Sequence, residues 1–265
     1  MGRFAAPFSG SQTMRHVLIL AAFLLLWTAA LALFSVPDYI VPTPYQLGEK
    51  TWFLVTRAGL LWHIPVTAIE ILAGYAVGVL IGVGAALLFY RAPVIEDILN
   101  PLIVFIQTAP KIAIAPLLLL WLGLGMTPKI VLVAIVTFFP ILATMLSALR
   151  SMPPMVDELA RILHLSPLQR IWRLEMPQAL PLLFSGLKVA ATLAITAAVI
   201  GELMGARAGL GYLLSLGQET SDTQLVLVSV LILSLLGFLF YLAIQAVERR
   251  LLRWHTSTDH DKLPI

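Results

Sequence analysis

The residues most able to do chemistry in this chain are ionisable side chains that lie within or beside long apolar stretches. They are Glu70, Lys111, Lys188 and Glu202. Burying a charge in an apolar environment is costly, so each one indicates either a functional position or a structural ion pair. For Glu70, Lys188 and Glu202 we favour an ion pair, or a side chain that reaches the surface near the end of its stretch.

Lys111 differs from the other three because it lies in the middle of its apolar stretch, directly after Pro110. Gln107, Thr108 and Lys111 form a polar face there, which predicts a water-filled path for a solute. Glu202 is a further candidate for this path. The alternative is that Lys111 pairs with a carboxylate from another stretch, and the sequence favours neither interpretation.

The sequence lacks the residue patterns of an enzyme or a metal protein. It has no cysteine, and its five histidines are scattered without the spacing of a metal-binding pair. No GxSxG nucleophile motif and no Walker A lysine occurs, and the glycine-rich run at 209–212 is interpreted as a turn. We therefore expect no catalytic residue, no metal site and no cofactor in this chain.

The elements that must position these residues are membrane-spanning helices. Hydrophobic residues make up 60% of the chain and charged residues only 12%, whereas a soluble domain carries about 25% charged residues. The mean hydropathy is +0.95. This composition predicts an all-α integral membrane protein with about six spans, at residues 17–34, 64–90, 98–122, 129–149, 182–203 and 225–247.

Glycines and prolines distinguish these spans from one another. In the second span, Gly74, Gly78 and Gly82 form a ridge of small residues for close helix packing. Three prolines interrupt the third span, which is therefore expected to line a cavity rather than to face lipid. The fourth span is expected to be kinked or broken near Pro140.

The chain is expected to divide into an N-terminal span with an external loop (1–62), a core of five spans (63–250) and a polar tail (251–265). The first apolar stretch could also be a signal peptide, but its length favours an uncleaved span. Lys and Arg residues concentrate near both termini and in the segments before the third and fifth spans. This bias predicts that both termini and residues 151–181 face the cytoplasm, and it explains the net charge of +3 without nucleic-acid binding.

Residues 151–181 are the longest polar interruption between spans, and we refer to them as the platform. Apolar residues recur there at helical spacing on one face, namely Met155, Leu159, Ile162 and Leu163. A second short helix is expected to begin at Ser166 with a capping box and to end at Pro177 and Pro181. Two short amphipathic helices between spans predict a docking surface for a soluble partner.

The platform resembles the EAA loop found in the permease subunits of bacterial ATP-binding-cassette (ABC) importers. Glu158-Leu159-Ala160 stands at the Glu-Ala-Ala of that motif, and the run Glu175-Met-Pro stands at its end. Two positions depart from the pattern, because Leu159 replaces an alanine and His164 replaces the usual glycine. That glycine normally permits a bend between the two helices.

Further segments, from about Val41 onward, resemble the nitrate, sulfonate and taurine branch of these permeases. They are Val41-Pro-Thr-Pro, the run from Pro110 to Leu117, Trp121-Leu-Gly-Leu-Gly, Gly201-Glu-Leu-Met-Gly-Ala and Gly209-Leu-Gly-Tyr. Within this branch the sequence is more similar to permeases for heterocyclic nutrients, such as thiamine-precursor pyrimidines or riboflavin, than to the sulfonate permeases.

The resemblance implies a permease of the type I ABC importer fold in the bacterial inner membrane, surrounded by membrane lipid. It implies three partners: a second permease copy in a homodimer, a cytoplasmic ATPase dimer that binds ATP and Mg²⁺, and an external solute-binding protein. The chain would then be no enzyme, and it would move a small organic or anionic nutrient by alternating access. The implied ATPase-coupling residues are Asp157, Glu158, Leu159, Ala160, Arg161, Leu163 and His164.

The main alternative is a secondary transporter driven by an ion gradient. That mechanism would need paired carboxylates at the middle of the membrane or inverted repeats, and neither is evident in the sequence. An intramembrane enzyme is disfavoured because no catalytic motif is present. A structural scaffold is disfavoured because the third span is interrupted by prolines and carries a polar face.

Overall fold

The computed structural model describes residues 10–254, and in this range it contains helices joined by short turns and no strand. In chain order the helices are α1 (Gly10–Leu33), α2 (Pro44–Thr56), α3 (Leu60–Arg91), α4 (Pro93–Thr108), α5 (Lys111–Leu122), α6 (Thr127–Arg150), α7 (Met155–Ile162), α8 (Pro167–Arg170), α9 (Met176–Leu203), α10 (Leu210–Glu219) and α11 (Thr223–Leu251). A π-helical turn, Ile171–Glu175, joins α8 to α9. The predicted all-α fold is confirmed, while most of the expected polar tail lies outside the described residues.

Four helices among the described residues are long and apolar enough to cross a membrane: α3, α6, the run Pro167–Leu203 and α11. The third predicted span is instead a bent pair, since α4 and α5 meet at 99°. Ala109 is extended at the bend (ψ 138°), because a following proline disfavours helical backbone. The apolar helix Leu18–Leu33 is shorter than a full span. All six predicted stretches are thus helical, although only four of them are single full-length spans.

The glycine ridge of α3 packs directly against α6, as the spacing predicts. A Cβ added to Gly74 would lie 2.5 Å from the Cβ of Val133, and one added to Gly82 would lie 2.9 Å from Cγ2 of Ile141. Gly78 lies between them on the same ridge. Any side chain at these positions would push the two helices apart, so the glycines set the close spacing of α3 and α6.

Helix α6 also packs against α9, and much of its surface is buried. Gly186 of α9 faces the Thr144 side chain, and Ile141 and Met145 are fully buried in the adjoining core. The break predicted near Pro140 is not found, because α6 continues to Arg150. Packing on two sides holds this helix together despite the backbone hydrogen bond that the proline removes.

The described residues form two units, and the first comprises residues up to Leu61 together with Leu213–Val230. In this unit α2 begins with a capping box. The Thr43 N–H donates to Oε1 of Gln46 at 2.7 Å, and the Gln46 N–H donates to the Thr43 hydroxyl oxygen at 3.3 Å. These bonds satisfy donors that have no partner within the helix.

An ion pair between Lys50 and Asp222, with Nζ and Oδ2 2.5 Å apart, joins α2 to the turn before α11. Burial alone would raise the pKa of the Asp222 carboxyl. Hydrogen bonds from Lys50 and from the Leu225 N–H outweigh it and hold that pKa below its usual value.

The second unit comprises Trp62–Tyr212 and the residues from Leu231 onward, and it contains the platform. The second platform helix begins as predicted. The Ser166 N–H donates to Oε1 of Gln169 at 3.0 Å, and the Gln169 N–H donates to the Ser166 hydroxyl oxygen at 3.3 Å. This reciprocal capping box fixes where the chain turns from α7 into α8.

The predicted end of this helix at Pro177 and Pro181 is wrong, because the helical run continues to Leu203. A proline ring normally clashes with the carbonyl group four residues earlier. For Pro177 that residue is Arg173, which lies inside the π-helical turn, where the backbone is wider. The platform is therefore continuous with a membrane span instead of being connected to it by a loop.

Candidate functional site

Helix α7 turns one face into the protein and leaves the other exposed. Val156 and Ala160 are buried, with 7% and 6% of their surfaces exposed. The predicted coupling residue Ala160 therefore has almost no free surface, whereas the other face carries four exposed apolar side chains: Met155, Leu159, Ile162 and Leu163. An exposed apolar patch on so short a helix indicates contact with another protein. Glu158, Arg161 and His164, which are also predicted coupling residues, are exposed around it.

A series of ion pairs, which we call the relay, connects α7 to the end of α3. Asp157 on α7 accepts a hydrogen bond from Nη2 of Arg170. Nε of Arg170 donates to Oε1 of Glu175 at 2.6 Å, and Nη2 of Arg91 donates to Oε2 of the same carboxylate at 2.7 Å. The Glu175 side chain is completely buried, and its carboxylate is the junction of the relay because it accepts hydrogen bonds from both arginines. In the sequence, Glu175 stood out only as the end of the EAA motif.

His164 ends α7 in a left-handed conformation, with φ +46°. The His164 N–H donates to the carbonyl of Arg161 at 3.1 Å, and the Leu165 N–H donates to the carbonyl of Ala160 at 3.1 Å. These two bonds form a Schellman motif, whose left-handed position is usually glycine. The bend expected of a glycine at this position is therefore present, and histidine adopts the backbone that the bend requires.

We expect His164→Gly to raise the free energy of unfolding by about 1 kcal/mol, because glycine occupies left-handed backbone without steric cost. This gain in stability would be measured as a higher Tm in thermal unfolding of the purified protein in detergent. His164→Val is the control and should lower Tm, since a β-branched side chain is strained at this φ. A His164→Val protein with unchanged Tm would contradict the strain argument.

The bent pair α4–α5 lines a cavity of about 540 Å³ together with α6 and α9. Gln107 and Lys111 are among its lining residues, whereas Thr108 and Glu202 are not. Nζ of Lys111 donates to the backbone carbonyl of Gln107. The partner found for Lys111 is thus the end of α4, where a cation is favoured by the helix dipole, and not a carboxylate.

Glu202 lies instead in a buried polar network between α3, α6 and α9. Nζ of Lys129 donates to Oε1 of Glu70 at 2.6 Å, and the Thr67 hydroxyl donates to Oε1 of Glu202 at 2.7 Å. Glu70, Lys129 and Glu202 are 0%, 4% and 1% exposed. Oε2 of Glu70 has no hydrogen-bond partner among the described residues. The network therefore places two carboxyl groups around a single buried ammonium.

The pairing favoured from the sequence is found for Glu70, and also for Lys188, whose Nζ lies 3.0 Å from the carboxylate of Glu248. The sequence does not predict Lys129 as the partner, because Lys129 stands at the first position of its predicted span and lies 59 residues from Glu70. Gly201 is a sequence feature that bears on this pairing, because it leaves room for the Lys129 side chain. A Cβ at Gly201 would lie 3.2 Å from Cγ of Lys129.

The same network holds the start of α10. Three consecutive N–H groups donate to side chains of α3 and α9: Gly209 to Nδ1 of His63 (3.0 Å), Leu210 to the Thr67 hydroxyl oxygen (2.8 Å) and Gly211 to Oε2 of Glu202 (2.5 Å). N–H groups at a helix start have no partner within the helix, so these three acceptors cap α10.

Both glycines of this run are required by the position of Glu202. A Cβ at Gly211 would lie 2.6 Å from Oε2 of Glu202, and Gly209 has φ +119°. The run at 209–212, interpreted from the sequence as a turn, is thus the capped beginning of a helix. Glu202 is the residue that links it to α9.

The fold and these sites define a class of protein. It is a multi-pass helical membrane protein with an exposed amphipathic helix between two spans and a cavity beside a bent helix pair. Among the described residues, no group of three or more His, Asp and Glu side chains is arranged to hold a metal ion.

The chain belongs to the family described as binding-protein-dependent transport system inner membrane component, whose model matches residues 78–253. A probable ABC transporter permease protein of Haemophilus influenzae is 36% identical over 240 residues, covering 90% of this chain and 97% of that protein. The riboflavin transport system permease protein of Chloroflexus aurantiacus is 34% identical over 235 residues, covering 88% of this chain and 87% of that protein. Other relatives are named as taurine, aliphatic sulfonate and formylaminopyrimidine permeases, which confirms the resemblance noted in the sequence.

The fold is similar to that of a solved importer. A chain of the MetNI methionine ABC transporter in an inward-facing conformation superposes with a TM-score of 0.60 at 21% identity, covering 76% of this chain and 96% of that chain. The type I ABC importer permease fold expected from the sequence is confirmed.

Proposed function

We propose that this chain is the permease subunit of an ATP-driven importer, which moves a small organic or anionic nutrient into the cytoplasm by alternating access. The observation that carries the proposal is the exposed apolar face of α7, connected through the buried Glu175 to α3. Membership of the binding-protein-dependent family supports it. The chain would hydrolyse nothing itself, because ATP and Mg²⁺ would bind to the partner ATPase.

The α7 face has the properties of a small docking element. Met155 and Ile162 are each more than 70% exposed, and Glu158 and Arg161 flank them with charges of both signs. An apolar centre with a charged rim is the usual arrangement of a specific protein interface. An ATPase that binds α7 and moves during its cycle would displace Asp157 and, through the relay, the ends of α3 and α9.

We place the platform and both termini in the cytoplasm, with the chain in the bacterial inner membrane. The support for this orientation is the concentration of Lys and Arg in the platform and near the chain ends. We further propose a homodimer and an external solute-binding protein as partners, since the family is described by its dependence on a binding protein.

We assign the solute path to the cavity beside the α4–α5 bend, with Gln107 and Lys111 as polar contacts. Lys111 is the one charged residue in the lining, so the cavity would favour an anionic or electron-rich solute. Riboflavin, named for one relative, is neutral, and its ring carbonyl oxygens would accept a hydrogen bond from the Lys111 ammonium. A secondary transporter driven by an ion gradient remains the alternative.

The test is to replace exposed α7 residues and to measure how much ABC ATPase co-purifies with the tagged chain from native membranes. We expect Ile162→Glu to reduce the recovered ATPase at least tenfold, because a carboxylate would be buried in an apolar contact. Glu158→Ala and Arg161→Ala should reduce it less, as rim charges do, while membrane insertion stays intact.

Arg207→Ala is the matched control, because it removes an exposed arginine outside the platform. It should leave ATPase recovery and solute uptake unchanged. Normal co-purification and uptake in the Ile162→Glu protein would refute the docking role of α7.

A further inference from the structure

A second cavity, of about 220 Å³, adjoins the first one at the side of the platform. The two cavities share Gln107, Phe139 and Ala143 as lining residues. The two cavities are therefore neighbouring chambers, and these three side chains lie between them.

The second chamber is more polar than the first. Asn100 and Ser147 line it, and so does an ion pair in which Nη2 of Arg150 donates to Oε2 of Glu96. Glu96 lies in the first turn of α4, and Arg150 is the last residue of α6. The ion pair thus joins α4 to α6 across the platform end of the chamber.

Both partners occupy positions that relate the platform to the path. The residue after Arg150 is the first of the platform, so Arg150 connects the platform directly to α6. At its other end, α4 reaches the bend beside Lys111. The Glu96 side chain is 14% exposed and the Arg150 side chain 53% exposed, and such partly exposed ion pairs are weak. A weak contact between two helices that must separate is easily broken in each cycle.

We propose that the Glu96–Arg150 ion pair is a latch that closes the solute path at the platform end. This proposal rests on the proposed function and adds the position of the inner gate. When the ATPases approach each other, the platform brings Arg150 against Glu96 and the exit is closed. When they separate, the pair parts, and two unpaired charges with Asn100 and Ser147 line a hydrated exit.

The latch predicts that the distance between α4 and α6 changes during the ATP cycle. The native chain has no cysteine, so Glu96→Cys/Arg150→Cys can be cross-linked specifically within it by a short bifunctional thiol reagent. The experiment uses the complete transporter, purified with its ATPase, without nucleotide and after trapping with ATP and vanadate. We expect the cross-linking yield to be at least fivefold higher in the trapped complex.

Lys50→Cys/Asp222→Cys is the matched control, because it replaces another partly exposed ion pair, at a place outside the proposed path. Its yield should not depend on nucleotide. If the first cysteine pair fails to fold, Asn100→Cys/Ser147→Cys faces the same chamber and keeps the ion pair, with the same expected dependence.

A yield at Glu96→Cys/Arg150→Cys that is equal in the two states, or lower in the trapped complex, would show a static contact and overturn the latch. This outcome leaves the proposed function intact as long as the ATPase co-purifies. Absence of any ABC ATPase from the purified wild-type chain would refute the proposed function itself.

Discussion

Replacement of Lys129 by methionine is expected to destabilise the chain by about 3–5 kcal/mol, which is the usual result of breaking a buried ion pair by removal of one partner. Glu70 would lose the donor to Oε1, and its Oε2 already has no partner among the described residues. Glu202 would remain buried beside it. Because native proteins are stable by only about 5–15 kcal/mol, this loss is a large share of the total, and both Tm and the yield of folded protein should fall.

The measurement is the fraction of monodisperse protein after extraction in detergent, together with its Tm. Lys188→Met is the matched control, because it removes another lysine from a span, and its ion pair with Glu248 is partly exposed. The Lys188→Met substitution should lower the free energy of unfolding by about 1 kcal/mol or less.

The double variant Glu70→Leu/Lys129→Met tests whether the uncompensated charge is the cause. Replacing both members of a buried ion pair by apolar residues is often neutral or stabilising, so this variant should recover much of the folded protein. A Lys129→Met protein as stable as the wild type would contradict the structural role of the network. Equal losses in the single and double variants would instead point to packing.

The second large effect is expected for Glu175→Ala, which removes the junction of the relay. Two charge-assisted hydrogen bonds, from Arg91 and Arg170, would be lost, each worth about 1.5–3 kcal/mol. Both guanidinium groups are partly exposed, with 35% and 23% of their side-chain surfaces accessible. Hydrogen bonds to water can therefore replace part of the lost free energy. The chain should therefore still fold and bind the ATPase through α7.

We expect the Glu175→Ala variant to lose the coupling between the permease spans and the ATPase. We expect the stimulation of ATP hydrolysis by the solute-loaded binding protein to fall at least tenfold in reconstituted complexes, while ATPase co-purification is retained. Asp157→Asn is the control within the relay, because it weakens only the last link, and it should reduce the stimulation much less. Full stimulation in the Glu175→Ala complex would show that α7 moves the spans without the relay.

Several features followed from the sequence because local rules determine them. The charged fraction identified a membrane protein, and the spacing of Gly74, Gly78 and Gly82 predicted the contact that α3 makes with α6. The capping box at Ser166 depends on residues three positions apart, so it could be read directly. The apolar positions of α7 were predicted for the same reason, since helical periodicity is local.

Other features were mispredicted because packing overrides local preference. A kink or a break was expected near Pro140, but no break is found, because contacts with α3 and α9 hold α6 together. Pro177 was expected to end the second platform helix, but the π-helical turn before it accommodates the ring. The left-handed backbone of His164 could be anticipated only from the glycine that the family carries there.

The sequence by itself determined the membrane class, the platform with its apolar face, and the family to which the chain belongs. The tertiary structure alone decided which charges meet: Lys129 with Glu70, Glu175 with Arg91, and Glu96 with Arg150. These partners lie between 54 and 84 residues apart in the chain, so no local periodicity connects them. In an apolar interior a charge is stable only beside its counter-charge, and the packing of the helices is what selects that neighbour.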